Sequence, residues 1–197
     1  MTIIGGGDGG ASPLTTKGDV AGYDTVDARI PVGADGQVLT ADAVQALGVK
    51  WATPSGGGVS PSFSVHMNGV NQTGIVTGTW TKLLWSTELF DTNNDFATSR
   101  FTPTVAGKYW LHSKVLFNTG LVTNKTLKLT IWKNGVVEGR NQFIVINTSY
   151  NSISVVKLVE ANGTTDYFEI FAWHDTGLNE EIYGPPAYSW FEGNKID

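Results

Sequence analysis

Glycine and aromatic residues are segregated along this chain, and the segregation rules out one core running through all of it. Residues 1–58 hold 13 of the 24 glycines but only two of the 22 aromatics, Tyr23 and Trp51, which leaves 20 aromatics for residues 59–197. A segment this short is marginal as an independent fold even with a full set of large apolar side chains, and this one lacks them. The change falls at Ser55-Gly56-Gly57-Gly58. Glycine tolerates backbone angles that other residues avoid, so this stretch is expected to act as a short swivel between an N-terminal segment, 1–58, and a second domain, 59–197.

The N-terminal segment still carries short alternating pieces. Ala28-Arg29-Ile30-Pro31-Val32 and Gln37-Val38-Leu39-Thr40 flank Gly33-Ala34-Asp35-Gly36 and read as brief strands around a tight turn, and residues 41–47 as two turns of helix. Strands with nothing to cover them are expected to intertwine with those of other copies. The segment therefore reads as a self-associating anchor or stalk, with a flexible linker as the alternative.

Residues 59–197 read as nearly all strand. Period-two alternation runs through Phe63-Ser64-Val65-His66-Met67, Lys108 to Phe117, Leu127 to Trp132, Ile153 to Val159 and Tyr167 to Trp173. Asn-Gly pairs at 68–69, 134–135 and 162–163 mark turns, because both residues tolerate positive φ. Eight to ten strands at this spacing predict an all-β, antiparallel sandwich or jelly roll.

Charge and cysteine content narrow the function. The formal net charge is −5 and no window holds more than two adjacent Lys or Arg, which argues against nucleic acid as a partner. With no cysteine, disulfides, zinc–thiolate centres and cysteine nucleophiles are excluded. The opening MTIIGGGDGG lacks the charged start and apolar core of a signal peptide, and no run approaches the length of a membrane span, so no membrane insertion is expected.

Two resemblances sharpen this. The stretch from Thr15 to Pro54, above all TTKGD, IPVGADGQVLTAD and VKWATP, resembles a segment found in bacteriophage tail-fibre and other virion structural proteins. It implies a virion protein without saying which appendage. Residues 62–196 resemble the complement-head and tumour-necrosis-factor-like jelly rolls. The matching positions are Phe96, Phe101-Thr102-Pro103, Gly107-Lys108-Tyr109, the Gly163 to Asp166 element and the closing Phe191-Glu192-Gly193. The chain departs from that pattern in its many Trp residues and in lacking a final Leu pair. Both resemblances imply a homotrimer.

The candidate chemistry is thin. Gly5-x-Gly7-x-x-Gly10 matches a dinucleotide fingerprint but lacks the strand and helix that would hold a pyrophosphate. His66, His112 and His174 show no ligand spacing, and no Gly-x-Ser-x-Gly elbow exists. Asp91-Thr92-Asn93-Asn94-Asp95 opens like a calcium loop without completing one. Glu180 and Glu181 point to opposite faces of any strand, the wrong geometry for a glycosidase pair, and read as a solvated loop. No catalytic residue, metal or cofactor is assigned. Trp110, His112 and Trp51 are expected at the trimer interface, and Tyr183, Tyr188 and Trp190 at a glycan contact, where ring faces stack on sugars.

The expectation is a non-enzymatic virion protein: a fibre, spike or capsid decoration on the exterior of the particle, assembled in the host cytoplasm. Residues 1–58 would attach it to capsid or tail proteins, and the head would bind a host surface glycan. The alternative is a cement protein that stabilises capsid or tail with no receptor role.

Overall fold

The computed structural model describes residues 13–23, 26–53, 60–118 and 120–197. The Gly5 to Gly10 tract and the Gly56-Gly57-Gly58 swivel lie outside them. The chain falls into two units, Met1–Gly58 and Val59–Asp197.

In the first unit Val20–Tyr23 (β1) pairs antiparallel with Asp27–Ile30 (β2), and Val38–Ala41 (β3) with Val49–Ala52 (β4). Both ribbons close within the chain, so their pairing needs no second copy, contrary to the expectation for uncovered strands. The tight turn at 33–36 joins β2 to β3 without pairing them. Residues 41–47 are not helical. Asp42 and Gln45 carbonyls accept from Gln45 and Gly48 N–H groups, and the Asp42 N–H donates to the Gly48 carbonyl, so successive tight turns close the β3–β4 hairpin. Seven residues without an apolar stripe gain nothing from forming an isolated helix.

Polar anchors hold this unit. The Asp19 carboxylate is shielded from solvent and accepts the N–H groups of Thr15 (3.1 Å), Thr16 (2.8 Å) and Val32 (3.1 Å). It also takes Arg29 Nε at 2.7 Å. The Arg29 guanidinium holds its carboxyl well below the usual range, against burial, and the three N–H groups add to the effect. Trp51 Nε1 donates to the Pro31 carbonyl at 2.6 Å, and its ring lies where a Cβ on Gly33 would come within 2.6 Å of it. Ile30 is the buried hydrophobic residue of the described part.

The second unit begins with Ser62–His66 (β5), Gln72–Ile75 (β6), Thr81–Lys82 (β7), Thr87–Asp91 (β8), Phe96–Ala97 (β9) and Arg100–Phe101 (β10). The long strands Gly107–Phe117 (β11), Thr126–Lys133 (β12), Val136–Ile144 (β13) and Asn151–Ala161 (β14) follow. Phe168–His174 (β15), Glu180–Ile182 (β16) and Trp190–Lys195 (β17) complete it. The strands exceed the expected number because β6, β7, β9, β10 and β16 are only two to four residues long, too short to show alternation.

Two antiparallel sheets result. One runs β6-β16-β11-β17-β5-β8, with β14 paired along β11; the other runs β13-β12-β15-β10-β9, with β7 on β15. Their inner faces meet in one core. Tyr109, Leu111, Val115 and Phe117 of β11 face Leu127, Leu129 and Ile131 of β12, and all are fully buried. Phe63 sits at its centre, 4.3 Å from Phe101, 4.9 Å from Phe191 and 5.3 Å from Phe96 between ring centroids. Phe96 and Phe101 are cross-strand partners. The Asn134-Gly135 turn between β12 and β13 has both residues at positive φ (52° and 81°), the mirror-image turn that matches strand twist. Gly193 faces the core: a Cβ there would fall 2.5 Å from Leu111 Cδ2 and 2.8 Å from Phe63.

Candidate assembly interface

Alternation on β11 sends Tyr109, Leu111, Ser113 and Val115 inward and Trp110, His112 and Lys114 outward. The register extends this outer face across the sheet. Trp110 pairs with Leu158 and Asn194, His112 with Val156 and Glu192, and Lys114 with Ser154 and Trp190. Ser64, opposite Glu192, pairs on its other side with Phe90. Four large apolar side chains are thus left in water on one face of the sheet: Trp110 at 46%, Val156 at 47%, Leu158 at 42% and Phe90 at 47% exposure. Phe90, Trp110, His112 and Glu192 line a shallow cavity of about 220 Å³.

His112 stands edge-on to Trp190, with ring centroids 4.6 Å apart, and its Nδ1 is 3.9 Å from Glu192 Oε1. Two of the three residues expected at a subunit interface, Trp110 and His112, therefore share one outward face. The third, Trp51, belongs to the first unit, anchored to Pro31.

The three residues expected to contact a glycan do not form one group. Trp190 lies on the sheet face against His112. Tyr183 and Tyr188 meet at 5.4 Å, and Tyr150, which sequence reasoning did not single out, lies 5.8 Å from Tyr183. The Tyr183 N–H donates to the Leu116 carbonyl, so Tyr183 stands opposite Leu116, on the same outward face as Trp110 and His112. Tyr150 precedes β14, which ends the pairing with β11 at Asn151–Phe117. Only that register brings Tyr150 and Tyr183 to one place.

The remaining polar candidates close turns or bury themselves. His174 is fully buried, its Nε2 at 2.7 Å from the Ile75 carbonyl and its Nδ1 at 3.0 Å from Thr176 Oγ1. In the 91–95 stretch, Asp91 accepts the Phe96 N–H at 2.7 Å, and Asp95 Oδ1 accepts both the N–H and hydroxyl of Thr104. Burial, with help from nearby Asp91, raises the Asp95 carboxyl above its usual range despite those bonds. Glu180 and Glu181 are not a solvated loop. They form β16, with Glu180 buried and Glu181 accepting from Asn71 at 3.1 Å and from Asn118. Among the described residues no group of three His, Asp or Glu is placed to hold a metal.

No protein-family model matches this sequence, and no curated protein matches it. Among solved structures, the chain is similar to murine APRIL in its pH 5.0 crystal structure, with a TM-score of 0.54 at 12% identity over 70% of this chain and all of that one. The globular domain of zebrafish complement 1qA covers 70% of this chain and 98% of its own at 21% identity, with a TM-score of 0.48. At 12% identity the likeness to APRIL speaks for the fold alone: the second unit is an antiparallel jelly roll.

Proposed function

We propose that this chain is a non-enzymatic structural protein of a bacteriophage particle, a homotrimeric fibre, spike or capsid decoration on the virion exterior. Residues 1–58 attach it to capsid or tail proteins, and the jelly roll faces outward. The observation that carries the assembly reading is the outer face of the β11 sheet, where Trp110, Leu158 and Val156 stand side by side in water and Phe90 meets Trp110 along a shallow cavity. Large apolar side chains grouped in water on one sheet face are a mark of interfaces rather than of free surfaces. Tyr150, Tyr183 and Tyr188 prolong the same face, so we assign them to the seam as well. The virion role rests on TTKGD, IPVGADGQVLTAD and VKWATP. Within those stretches Asp19, Pro31 and Trp51 make the contacts that shape the first unit.

Sedimentation velocity tests the assembly. The full chain should sediment as three copies of 21.2 kDa, and a monomer at micromolar concentration overturns the proposal. Trp110→Glu should dissociate it, since three like charges would be brought to one apolar seam. A trimer with unchanged melting would place Trp110 away from the seam. Attachment is tested on particles lacking the appendage: the full chain should decorate them and residues 59–197 alone should not.

A further inference from the structure

The outer face of the other sheet carries an aromatic group that neither core nor seam uses. Trp132 on β12 lies 4.4 Å from Phe171 on β15, and Trp80, just before β7, reaches Trp132 at 6.0 Å and Trp173 at 6.2 Å. These four rings are only partly buried. Trp132 and Phe171 border Thr130, which faces outward yet is fully buried, and Thr130 Oγ1 accepts the Trp132 indole N–H at 2.8 Å. The platform is thus fixed from below while its upper side stays in water. The indole N–H groups of Trp80 and Trp173 have no partner among the described residues.

Charge says what this platform suits. The chain as a whole carries −5, but here the register gathers Lys128 opposite Trp173, Arg140 opposite Thr130 and Lys82 opposite Phe171. Lys128 Nζ sits 3.6 Å over the Trp173 ring. Three carboxylates share the face, one of them Glu138, exposed two residues before Arg140 on β13 beside Trp132. Glu169 is already bound by Lys82 at 2.7 Å and Arg100 at 3.0 Å, and Asp175, at the edge, accepts the Thr126 N–H at 2.6 Å. Arg140 is exposed and in no ion pair among the described residues. Lys82, Arg100, Lys128 and Arg140 therefore outnumber the three carboxylates here by one, against the sign of the whole molecule.

We propose that this face binds an anionic glycan. Sugar rings lay their apolar C–H faces on Trp80, Trp132 and Trp173, free indole N–H groups donate to hydroxyls, and Lys128 and Arg140 receive the acidic substituents. A neutral glycan leaves the two cations unused. Single-stranded nucleic acid also stacks and carries phosphate, but it calls for a continuous basic groove along its backbone, and here carboxylates stand among the cations. The inference does not rest on the virion or trimer reading and involves a different sheet.

The test is isothermal titration of the full chain with polygalacturonate oligosaccharides, with poly(glycerol phosphate) teichoic acid, with neutral dextran and with oligothymidylate. Saturable binding is expected to at least one of the first two, about tenfold or more tighter than to dextran, and weakening with salt. The polymer preferred separates carboxylate from phosphate as the recognised group. Lys128→Ala and Trp173→Ala should each weaken it at least about tenfold at unchanged melting temperature, while Trp110→Ala should leave it alone. Lys128→Ala, a surface change, keeps the test decisive if the Trp variant unfolds. Failure of both acidic polymers to bind, equal binding to dextran, tighter binding to oligothymidylate, or Lys128→Ala binding as the unaltered chain does would each overturn the proposal.

Discussion

Residues 1–58 and residues 59–197 are both built from antiparallel ribbons, but different forces hold them. In the larger unit, apolar area decides: Phe63, Phe101, Tyr109, Phe168 and Phe191 are essentially removed from water, each contributing about 1.5–3 kcal/mol or more of transfer free energy. Among the described residues of the smaller unit Ile30 is the buried hydrophobic side chain, while Tyr23, Val26 and Val44 stand exposed. Its order comes from directed polar contacts instead, with Asp19 as the hub and the Trp51–Pro31 hydrogen bond as a second tie. The contrast shows how a glycine-rich segment poor in aromatics acquires a defined shape. One shielded carboxylate joins loop, strand and arginine at once, and each of its bonds is charge-assisted.

Three substitutions probe the contrast, starting with the largest effect. Phe63→Ala empties the centre of the aromatic cluster and should cost about 3–5 kcal/mol, read as a lowered denaturation midpoint by tryptophan fluorescence. The β1–β2 ribbon should be untouched; if its amide exchange accelerates equally, the two units fold as one and the comparison collapses.

Asp19→Asn is the converse. Amide exchange at Thr16 and Val32, whose N–H groups the carboxylate holds, should accelerate about tenfold or more, while the melting of the larger unit stays put. The pH dependence has a definite sign. Because the folded Asp19 carboxyl titrates below its ordinary 3.8, its contribution is present above that value and disappears only as pH falls through the lower folded one. Protection at Val32 should therefore survive at pH 4. Loss of protection there would show that the hub does not hold the segment.

Glu169→Gln carries the same logic into the larger unit, with a smaller effect. Burial would raise this carboxyl, but Lys82 and Arg100 hold it below its ordinary 4.5. Both cations are partly exposed, so losing the pairs should cost only about 1 kcal/mol. The difference in melting temperature between variant and unaltered chain should be complete at pH 7, begin to shrink as pH falls below 4.5, and vanish once pH has passed the folded value. A difference unaffected by pH would mean that packing, not charge, sets the effect.

Much of the jelly roll was legible because a strand with one face in a core must alternate. Phe63 to Met67, Lys108 to Phe117 and Ile153 to Val159 alternate openly, and β5, β11 and β14 lie there. The Asn-Gly pair at 134–135 marked its hairpin because both residues accept the left-handed backbone the turn demands. Trp110 and His112 could be placed on an outward face from parity alone. The helix expected over 41–47 failed because short-range helical preference is weak where no apolar stripe rewards it, and two hairpin strands waited on either side. The Asp19 hub was not visible, since nothing local links Thr15, Arg29 and Val32 to one carboxylate.

Taken alone, the sequence determined the division at the glycine run, the all-β character of the larger part and which residues of a strand share a face. These follow from local steric rules and from a two-residue period written along the chain. The tertiary structure decided which strands are neighbours and in what register. That choice sent Trp190 to His112 instead of to Tyr183 and Tyr188, brought Tyr150 to them, and assembled Trp80, Trp132 and Trp173 from three distant stretches into one platform. Neighbours across a sheet are selected by how the whole core packs, a property of all strands together that no single segment encodes.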